Sequence, residues 1–367
     1  MTAMVSRESI VRLAFALSAV FGLAGCSTPS LDLSYYWQSA QGHLTLMRQA
    51  RPIADLLADG ELDARLRSRL ERVREIRAFA SAELGLPANG SYTTYASLER
   101  PFVVWNVFAA PELSLQLEQR CFPVAGCVGY RGYFALRDAE REAEALRARG
   151  FDVHVAGVPA YSTLGWFDDP VLSTFVHQPE AELARLLFHE LAHQVVYLKG
   201  DTTFNESFAT AVEEAGMRRW LAARADPALE ESYRRASERR RGFVSLLLRH
   251  KSVLEEVYRS DATRQQRLAR KQQVFADLRR DYLALKAAWG GFSGYDRWFA
   301  QDLTNAHLAA VFAYTALVPG FERMLLRSGG DLAHFYAQVR ELAALAPGER
   351  ERWLGASGLA RAEETAP

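Results

Sequence analysis

The sequence contains two histidines and a glutamate in the order His189-Glu190-Leu191-Ala192-His193. Residues four positions apart lie on the same face of an α-helix, so both imidazoles can reach one metal ion. Glu190 would then lie beside that face, where a carboxylate can take a proton from a metal-bound water. A single histidine on a helix is usually a core or surface residue, but this pattern predicts a metal-dependent hydrolytic site.

The residues around this motif favour the helix that such a site requires. No glycine or proline interrupts residues 180–199, and leucines recur there at helical spacing. Pro179 suits the first position of a helix, and Gly200 suits the position just past its end. We therefore predict one helix over 180–199 that carries both histidines.

A third ligand is expected nearby, because a catalytic zinc takes three protein ligands and leaves a position for water. The segment NESFA at 205–209 begins a second helical run, and its Glu206 is the candidate ligand. Thr203 and Glu206 also fit a capping box, in which the glutamate would bond to the backbone of the cap residue instead. Glu213 and Glu214 are the fallback ligands.

The segments HELAHQ (189–194) and NESFA (205–209) resemble those of the gluzincin metallopeptidases, especially the HELAHQ and NEGFA segments of the aminopeptidase N family. The spacer between them is shorter here, and the GxMEN substrate motif of that family has no counterpart in the sequence. Together with its N-terminus, the chain is similar to a bacterial lipoprotein family of zinc-dependent aminopeptidases. The resemblance implies one Zn2+ per chain held by His189, His193 and Glu206, and a peptide as substrate.

The chemistry expected of such a site is peptide hydrolysis by activated water. A bound zinc lowers the pKa of its water toward neutrality from about 16. Glu190 would accept the proton as the water attacks the carbonyl, and would later deliver it to the leaving amine. Tyr314 and His307 are candidates for the group that stabilises the oxyanion, although packing explains either one equally well. The carboxylate that an aminopeptidase needs for the substrate ammonium could be Asp168, Asp169, Glu213 or Glu214.

The N-terminus predicts export. A basic start and an apolar run at 13–24, too short to cross a bilayer, give residues 1–25 the pattern of a signal peptide. The run ends in LAGC at 23–26, which resembles a bacterial lipobox and implies cleavage before Cys26 and lipidation of its thiol. Ser27 resembles the sorting signal for the outer membrane. We expect a lipid-anchored protein of the bacterial cell envelope, facing the periplasm, and the alternative is an ordinary cleaved signal with an incidental cysteine.

The two remaining cysteines, Cys121 and Cys127, fit the same compartment. In oxidising surroundings they are expected to form a disulfide that closes a small loop. Two separate reduced thiols are the alternative. A zinc site at this place is not expected, because no histidine lies near the two cysteines.

The charge balance argues against a nucleic-acid partner. Basic and acidic side chains number 44 each, so the formal net charge is zero. The chain therefore lacks the excess positive charge on which nucleic-acid binding depends. A phosphate loop and a dinucleotide fingerprint are also missing from the sequence. The expected partners are a peptide substrate and, through lipidated Cys26, a membrane.

The remaining pattern predicts an α+β fold in which helices predominate. A zincin-like catalytic lobe is expected over 36–221, with a small mixed sheet packed on the metal-binding helix. A helical C-terminal lobe is expected over 222–352, between a tether at 26–35 and a flexible tail at 353–367. The basic runs of the C-terminal lobe are interspersed with acidic residues, which is typical of solvated helices that carry salt bridges.

Within the first lobe, helix is predicted over about 36–83, and a second helix is predicted from a cap at Asp138 to a stop at Gly150. Strands are predicted at 102–109, 113–117, 128–134 and 151–155. By resemblance to zincins, the substrate backbone would add to an edge strand between Phe151 and Gly165.

Three other functions stay open at this point, and one of them is a helical scaffold whose charged segment 222–286 binds partners. The protein could be an endopeptidase that acts on envelope proteins. It could also be a non-catalytic binding or assembly lipoprotein of the envelope, in which zinc is structural. The intact Glu190 and the absence of an evident fourth ligand favour catalysis, since structural zinc sites normally have four protein ligands.

Overall fold

The computed structural model describes residues 33–122, 126–313 and 316–355. Cys26 and the signal peptide lie outside the described residues, and so does Tyr314. The chain divides into two compact units, residues 1–41 and residues 42–367. Every feature of the candidate site belongs to the second unit.

Helices predominate in the described residues, and together with short strands they give the predicted α+β class. The helices are α1 (Leu33–Gln49), α2 (Ile53–Ala58), α3 (Ala64–Leu84), α4 (Leu136–Ala148), α5 (Glu180–Ala192), α6 (Thr202–Arg224), α7 (Pro227–Arg259), α8 (Arg264–Ala288), α9 (Asp296–Phe299), α10 (Asn305–Ala313), α11 (Val318–Arg327), α12 (Leu332–Ala343) and α13 (Pro347–Leu354). The strands are β1 (Arg51–Pro52), β2 (Thr94–Ala96), β3 (Val104–Pro111), β4 (Arg120–Phe122), β5 (Gly126–Val128), β6 (Tyr130–Tyr133), β7 (Phe151–Val158) and β8 (Val171–Leu172).

The strands form three small sheets. The first sheet has the strand order β6-β3-β7, and its neighbouring strands are antiparallel. Phe108 of β3 lies opposite Tyr130 of β6 and His154 of β7. The sheet β1-β2-β8 is mixed, because β2 pairs antiparallel with β1 and parallel with β8. Strands β4 and β5 form a hairpin in which Cys121 lies opposite Cys127. Strand β7, predicted from its alternating residues, is therefore an edge strand of its sheet.

The helical stretch predicted over about 36–83 is helical, and it is divided into three helices. Pro52 precedes α2 and has an extended backbone. A proline has no backbone N–H to donate, so α1 cannot continue through this position. The side chain of Asp63 accepts a hydrogen bond from the Leu66 N–H at 2.9 Å and caps α3. Both breaks are thus made by residue types that interrupt or start helices.

Two local predictions are wrong. The expected strand at 113–117 is a turn and loop, because β3 extends to Pro111 and the Ser114 N–H then donates to the Pro111 carbonyl at 3.1 Å. Helix α4 begins at Leu136 with Ala135 in the cap position, so Asp138 lies in the first turn and pairs with Arg141. The stop at Gly150 is confirmed by its left-handed φ of 84°.

The core consists of two main apolar clusters. The first includes Leu183 and Leu187 of α5, Val171 and Leu172 of the mixed sheet, and Phe335 of α12. The mixed sheet and the motif helix therefore share one core, and the C-terminal helices return to it. The predicted boundary between lobes at 221/222 stays a prediction.

The second cluster joins α7, α8 and α10 through Leu246, Leu278 and Leu308. Within the described residues, Asn305–Arg327 is one stretch that could cross a membrane by length and hydropathy alone. More than half of it, 56%, is buried inside the fold, which is typical of a core segment.

Candidate metal centre

Helix α5 carries the histidine motif and ends earlier than predicted. Its last residue is Ala192, and His193 occupies the C-cap with φ −58° and ψ −23°, so its backbone is still helical. Both histidines therefore keep the one-turn separation that the motif requires. Pro179 is the N-cap residue of α5 and lies one position before the first helical residue.

A buried asparagine holds the segment that follows the helix. The Asn205 Oδ1 accepts from the Leu198 N–H at 2.7 Å, and its Nδ2 donates to the Leu198 carbonyl at 2.8 Å. These two bonds satisfy the backbone of Leu198 outside a helix. The chain can then turn through Gly200, whose φ is 83°, and α6 folds back onto α5.

The start of α6 decides between the two roles predicted for Glu206. The side chain of Asp201 caps the helix by accepting from the Phe204 N–H at 3.0 Å. Thr203 is already inside the helix, so the alternative capping box with Glu206 is wrong. The Glu206 carboxylate instead lies beside the two histidines.

Three ligand atoms converge at this point. One atom each from His189, His193 and Glu206 lies within 4.8 Å of the others. The Oε2 of Glu206 is 3.1 Å from the Nε2 of His189 and 3.6 Å from the Nε2 of His193. Two imidazoles and one carboxylate are a donor set that suits zinc and leaves room for a fourth ligand. The residues therefore fit a catalytic metal ion.

Glu213 contacts the other nitrogen of the first histidine. Its Oε2 lies 3.2 Å from the Nδ1 of His189, and its Oε1 is held by Arg185 at 2.5 Å. Arg185 also pairs with Glu182 at 2.6 Å, and Glu182 pairs with Arg240 of α7 at 3.0 Å. A carboxylate on Nδ1 fixes the ring and directs Nε2 toward the metal, as is usual for metal-binding histidines. Glu213, a fallback ligand by sequence, is thus placed as a positioning residue.

The electrostatics of the cluster favour positive charge between the carboxylates. Burial lowers the pKa of His189, but the hydrogen bonds that its protonated ring donates to Glu206 and Glu213 outweigh this effect and raise the pKa to about 10. Burial raises the pKa of Glu206, but the two histidines lower it to about 2. A metal ion would occupy the place of the proton that this arrangement stabilises.

Glu190, the candidate general base, lies on the same helix. Burial raises its pKa, the neighbouring histidines lower it, and the charges of Glu206 and Glu213 raise it, with a net increase. A raised pKa makes an ionised carboxylate a stronger base toward a nearby proton donor. Its position and environment therefore fit the role predicted for it.

A loop at 87–92 forms one wall beside the metal helix. The Gln194 side chain accepts from the Asn89 Nδ2 at 2.7 Å and donates to the Ser91 Oγ at 3.1 Å. The buried Arg77 holds this loop by donating to the Ser91 carbonyl at 3.0 Å and to the Asn89 carbonyl at 3.1 Å. Local sequence patterns do not indicate this wall, because the bonds of Gln194 join residues about a hundred positions apart.

A second loop, 161–169, lies against the same glutamine. A Cβ placed on Gly165 would be 3.3 Å from the Gln194 Oε1. Asp169 fixes the loop, since its Oδ2 accepts from the Thr163 N–H at 2.8 Å and its carbonyl accepts from the Tyr92 N–H at 2.6 Å. Trp166 and Phe167, 73% and 51% exposed, project from it.

The four candidate carboxylates for the substrate ammonium fall into different environments. Glu213 is bonded to His189, and Asp169 is only 2% exposed. Glu214 faces Glu322. Burial, and to a smaller extent the contact with Glu322, raise the pKa of Glu214 to about 7. Asp168 is exposed and lies over the backbone of Gly90. Of the four, Asp168 is therefore the most exposed.

His307 is a packing residue in this structure. It is 3% exposed, its ring centroid is 3.9 Å from that of His154, and its Nδ1 accepts from the Thr304 N–H at 3.1 Å. None of these partners belongs to the described metal cluster.

The disulfide hairpin supports the connection between α5 and α6. Cys121 and Cys127 are joined by a disulfide. A Cβ on Gly126 would lie 2.5 Å from the backbone nitrogen of Gly200. The hairpin therefore packs closely against the turn that leads into the helix of Glu206.

Comparison with known proteins gives one result. A family model described as "Putative aminopeptidase" matches residues 34–354 of the 367-residue chain. No curated protein and no solved structure matches the chain.

Proposed function

Since the chain belongs to the family described as "Putative aminopeptidase", we propose that it is a zinc-dependent aminopeptidase whose metal is held by His189, His193 and Glu206. The observation that carries the proposal is the convergence of these three ligand atoms within 4.8 Å. The donor set leaves a coordination position open, which is typical of catalytic zinc. Zinc, when bound, supplies a Lewis acid that activates water and polarises the peptide carbonyl.

Glu190 performs the proton transfers in this proposal. It follows His189 directly on α5 and has a raised pKa, so it can take a proton from the attacking water. It then gives this proton to the amine that leaves when the C–N bond breaks. Glu213 keeps the His189 ring in its orientation throughout.

Asp168 binds the ammonium of the substrate. Its carboxylate is exposed, and its loop lies against Gln194, the residue after the second histidine. A negative charge at this wall would hold a free amino terminus and place the first peptide bond over the metal. This contact distinguishes the aminopeptidase from the alternative, an endopeptidase acting on envelope proteins.

The site of action follows from the N-terminus. We propose that Cys26 is lipidated and anchors the protein in the bacterial envelope, at the outer membrane facing the periplasm. The resemblance of LAGC at 23–26 to a lipobox supports this location. The substrates would then be peptides of the periplasm.

The test uses the zinc-loaded chain starting just after Cys26, assayed with free-amine peptides and with the same peptides acetylated at the amino terminus. We expect release of the first residue from free-amine peptides only. Glu190→Gln should lower kcat by at least about a hundredfold, the usual contribution of a general base, with zinc retained. Asp168→Asn should raise KM for the free-amine peptides.

The other outcomes identify the alternatives. Cleavage of acetylated peptides at equal rates would make the protein an endopeptidase. Zinc binding without cleavage of any peptide would favour a binding lipoprotein.

A further inference from the structure

A cavity of about 470 Å³ lies between the start of α6, the loop before β4, and α10. Its volume falls in the range of about 300–1,000 Å³ that is usual for ligand pockets. A larger cavity of about 760 Å³ borders α3 and the loop at 87–92, with Asn89 and Tyr92 in its lining, but no residue of α6 lines it. The smaller cavity is lined in part by the start of α6, the helix that carries Glu206.

The start of α6 contributes two threonines. Thr202 and Thr203 line the cavity, and they precede Glu206 by four and three residues on α6. Side chains at these spacings lie on one helical face, about 5–6 Å apart at Cβ. Helical side chains also point back toward the N-terminus, so the Glu206 side chain leans toward this turn. The cavity therefore begins beside a metal ligand.

Seven apolar residues line the cavity, together with polar ones that include Gln116, Gln119 and Tyr130. Phe108 contributes from β3, Leu115 and Leu117 from the loop, and Ala309 and Phe312 from α10. These side chains offer no hydrogen bonds from their ends, so they favour an apolar occupant.

The charged groups at the cavity are already paired. The Lys251 Nζ is 2.6 Å from the Glu255 Oε1, and it lies 5.5 Å from the centroid of the Phe312 ring. Asp201 is bonded to Arg350 at 3.0 Å. A charged ligand would have to displace one of these partners, whereas an uncharged one would not.

We propose that this cavity binds a large apolar side chain of the substrate, of the leucine or phenylalanine kind, beside the peptide bond that is cleaved. This inference rests on the proposed function, because it assigns the cavity to the same site. It adds a substrate class: peptides with a bulky apolar residue at one of the two positions that flank the cleaved bond.

The test measures peptide affinity on the zinc-loaded Glu190→Gln protein, so that binding is seen without turnover. The peptides differ only in whether phenylalanine, alanine or lysine occupies the first or the second position. We expect phenylalanine to bind at least about tenfold more tightly than alanine at one position, as hydrophobic pockets commonly achieve. Ala309→Leu fills the cavity and should lower this ratio about tenfold.

A matched control is the next residue of the same helix. Ala310 is also buried but does not line the cavity, so Ala310→Leu should keep the ratio. A second variant, Leu115→Asp, places a carboxylate in the wall and should tighten the binding of the lysine peptide. A gain in affinity of this kind cannot come from misfolding.

Equal affinities for the phenylalanine and alanine peptides would overturn the proposal. It would also be overturned if Ala309→Leu left the ratio of these affinities unchanged and Leu115→Asp bound the lysine peptide no more tightly than before. The proposed function fails separately, by lack of hydrolysis with Glu190 intact. Selective binding without hydrolysis would leave the cavity proposal standing, and hydrolysis without selectivity would remove it alone.

Discussion

At the residue scale, two glutamates compete for the same histidine. Glu206 and Glu213 are seven residues apart, so they lie on the same face of α6. Helical spacing alone therefore does not distinguish one glutamate from the other. The structure separates them, because Arg185 binds the second oxygen of Glu213 while Glu206 faces both histidines. The two histidines could be predicted as ligands from their spacing. Which glutamate faces both histidines and which contacts only the Nδ1 of His189 depends on Arg185 of α5.

Glu213→Gln tests this distinction. The amide keeps the size of the side chain but removes the charge that orients His189, and losses of about 10- to 100-fold in metal affinity are typical of such changes. Zinc affinity is measured by competition with a chelator. Glu214→Gln is the control, since Glu214 faces Glu322 instead of the histidine. Equal affinities of the two variants would show that Glu213 does not position the metal site.

Asp169 gives a prediction for pH dependence. Burial raises its pKa from 3.8 to about 6, against the hydrogen bonds from Thr163, and the charge of Glu190 adds to the increase. Between about pH 4 and 6 the folded chain therefore keeps a proton that the unfolded chain loses. The free energy of unfolding should fall as the pH rises through this window, because the folded state binds more protons there.

Asp169→Asn removes this titration. The free energy of unfolding of the variant, minus that of wild type, should therefore increase between pH 4 and pH 6. The increase should be roughly 3 kcal/mol at most, for a shift of about two pKa units. Urea unfolding of the metal-free protein at several pH values measures the difference. Asp168→Asn, exposed and adjacent, is the control. Parallel curves for Asp169→Asn and wild type would contradict the assignment.

At the scale of elements, helical periodicity predicted where α5 and α6 lie but not where α5 ends. Residues 193–199 have no helix-breaking side chain before Gly200, so local propensity favours a longer helix. Beyond the end of the helix, the side chain of Asn205 bonds to the backbone of Leu198 and holds this residue in a non-helical conformation. Such a contact between two elements has no signature in the local sequence. The strand predicted at 113–117 is absent for a similar reason. Alternation of apolar and polar residues does not by itself provide a neighbouring strand with which to pair.

Asn205→Ala tests the importance of this contact. It would leave a donor and an acceptor of Leu198 without partners, at about 1–3 kcal/mol for each buried group. The turn that aligns His193 with Glu206 should loosen, so zinc affinity should fall together with the free energy of unfolding. Chelator competition and urea unfolding measure the two effects.

Asn305→Ala is a matched control for this change. Asn305 is also buried and also bonds to backbone, at the carbonyls of Pro111 and Glu112. Its loss should destabilise the fold without changing zinc affinity. If both variants bound zinc equally well, the contact of Asn205 would be a general stabilising one.

At the scale of the whole molecule, the fold class followed from composition and periodicity, while the walls of the site did not. Gln194 contacts Asn89 and Ser91, and the loop of Asp169 is held against Tyr92, across large separations in sequence. The ion pairs from Glu213 through Arg185 and Glu182 reach Arg240 of α7 and join a charged C-terminal helix to the metal centre. These contacts depend on how whole elements pack, which periodicity within one element cannot show.

The most direct measurement is the zinc content of the purified protein and its variants, by mass spectrometry of the metal. The account predicts one zinc ion per chain in wild type and in Glu190→Gln, because Glu190 is not a ligand. His193→Ala and Glu206→Ala should each lose most of the zinc after dialysis while remaining folded. A wild-type protein that holds no zinc, or a Glu206→Ala variant that holds as much as wild type, would contradict it.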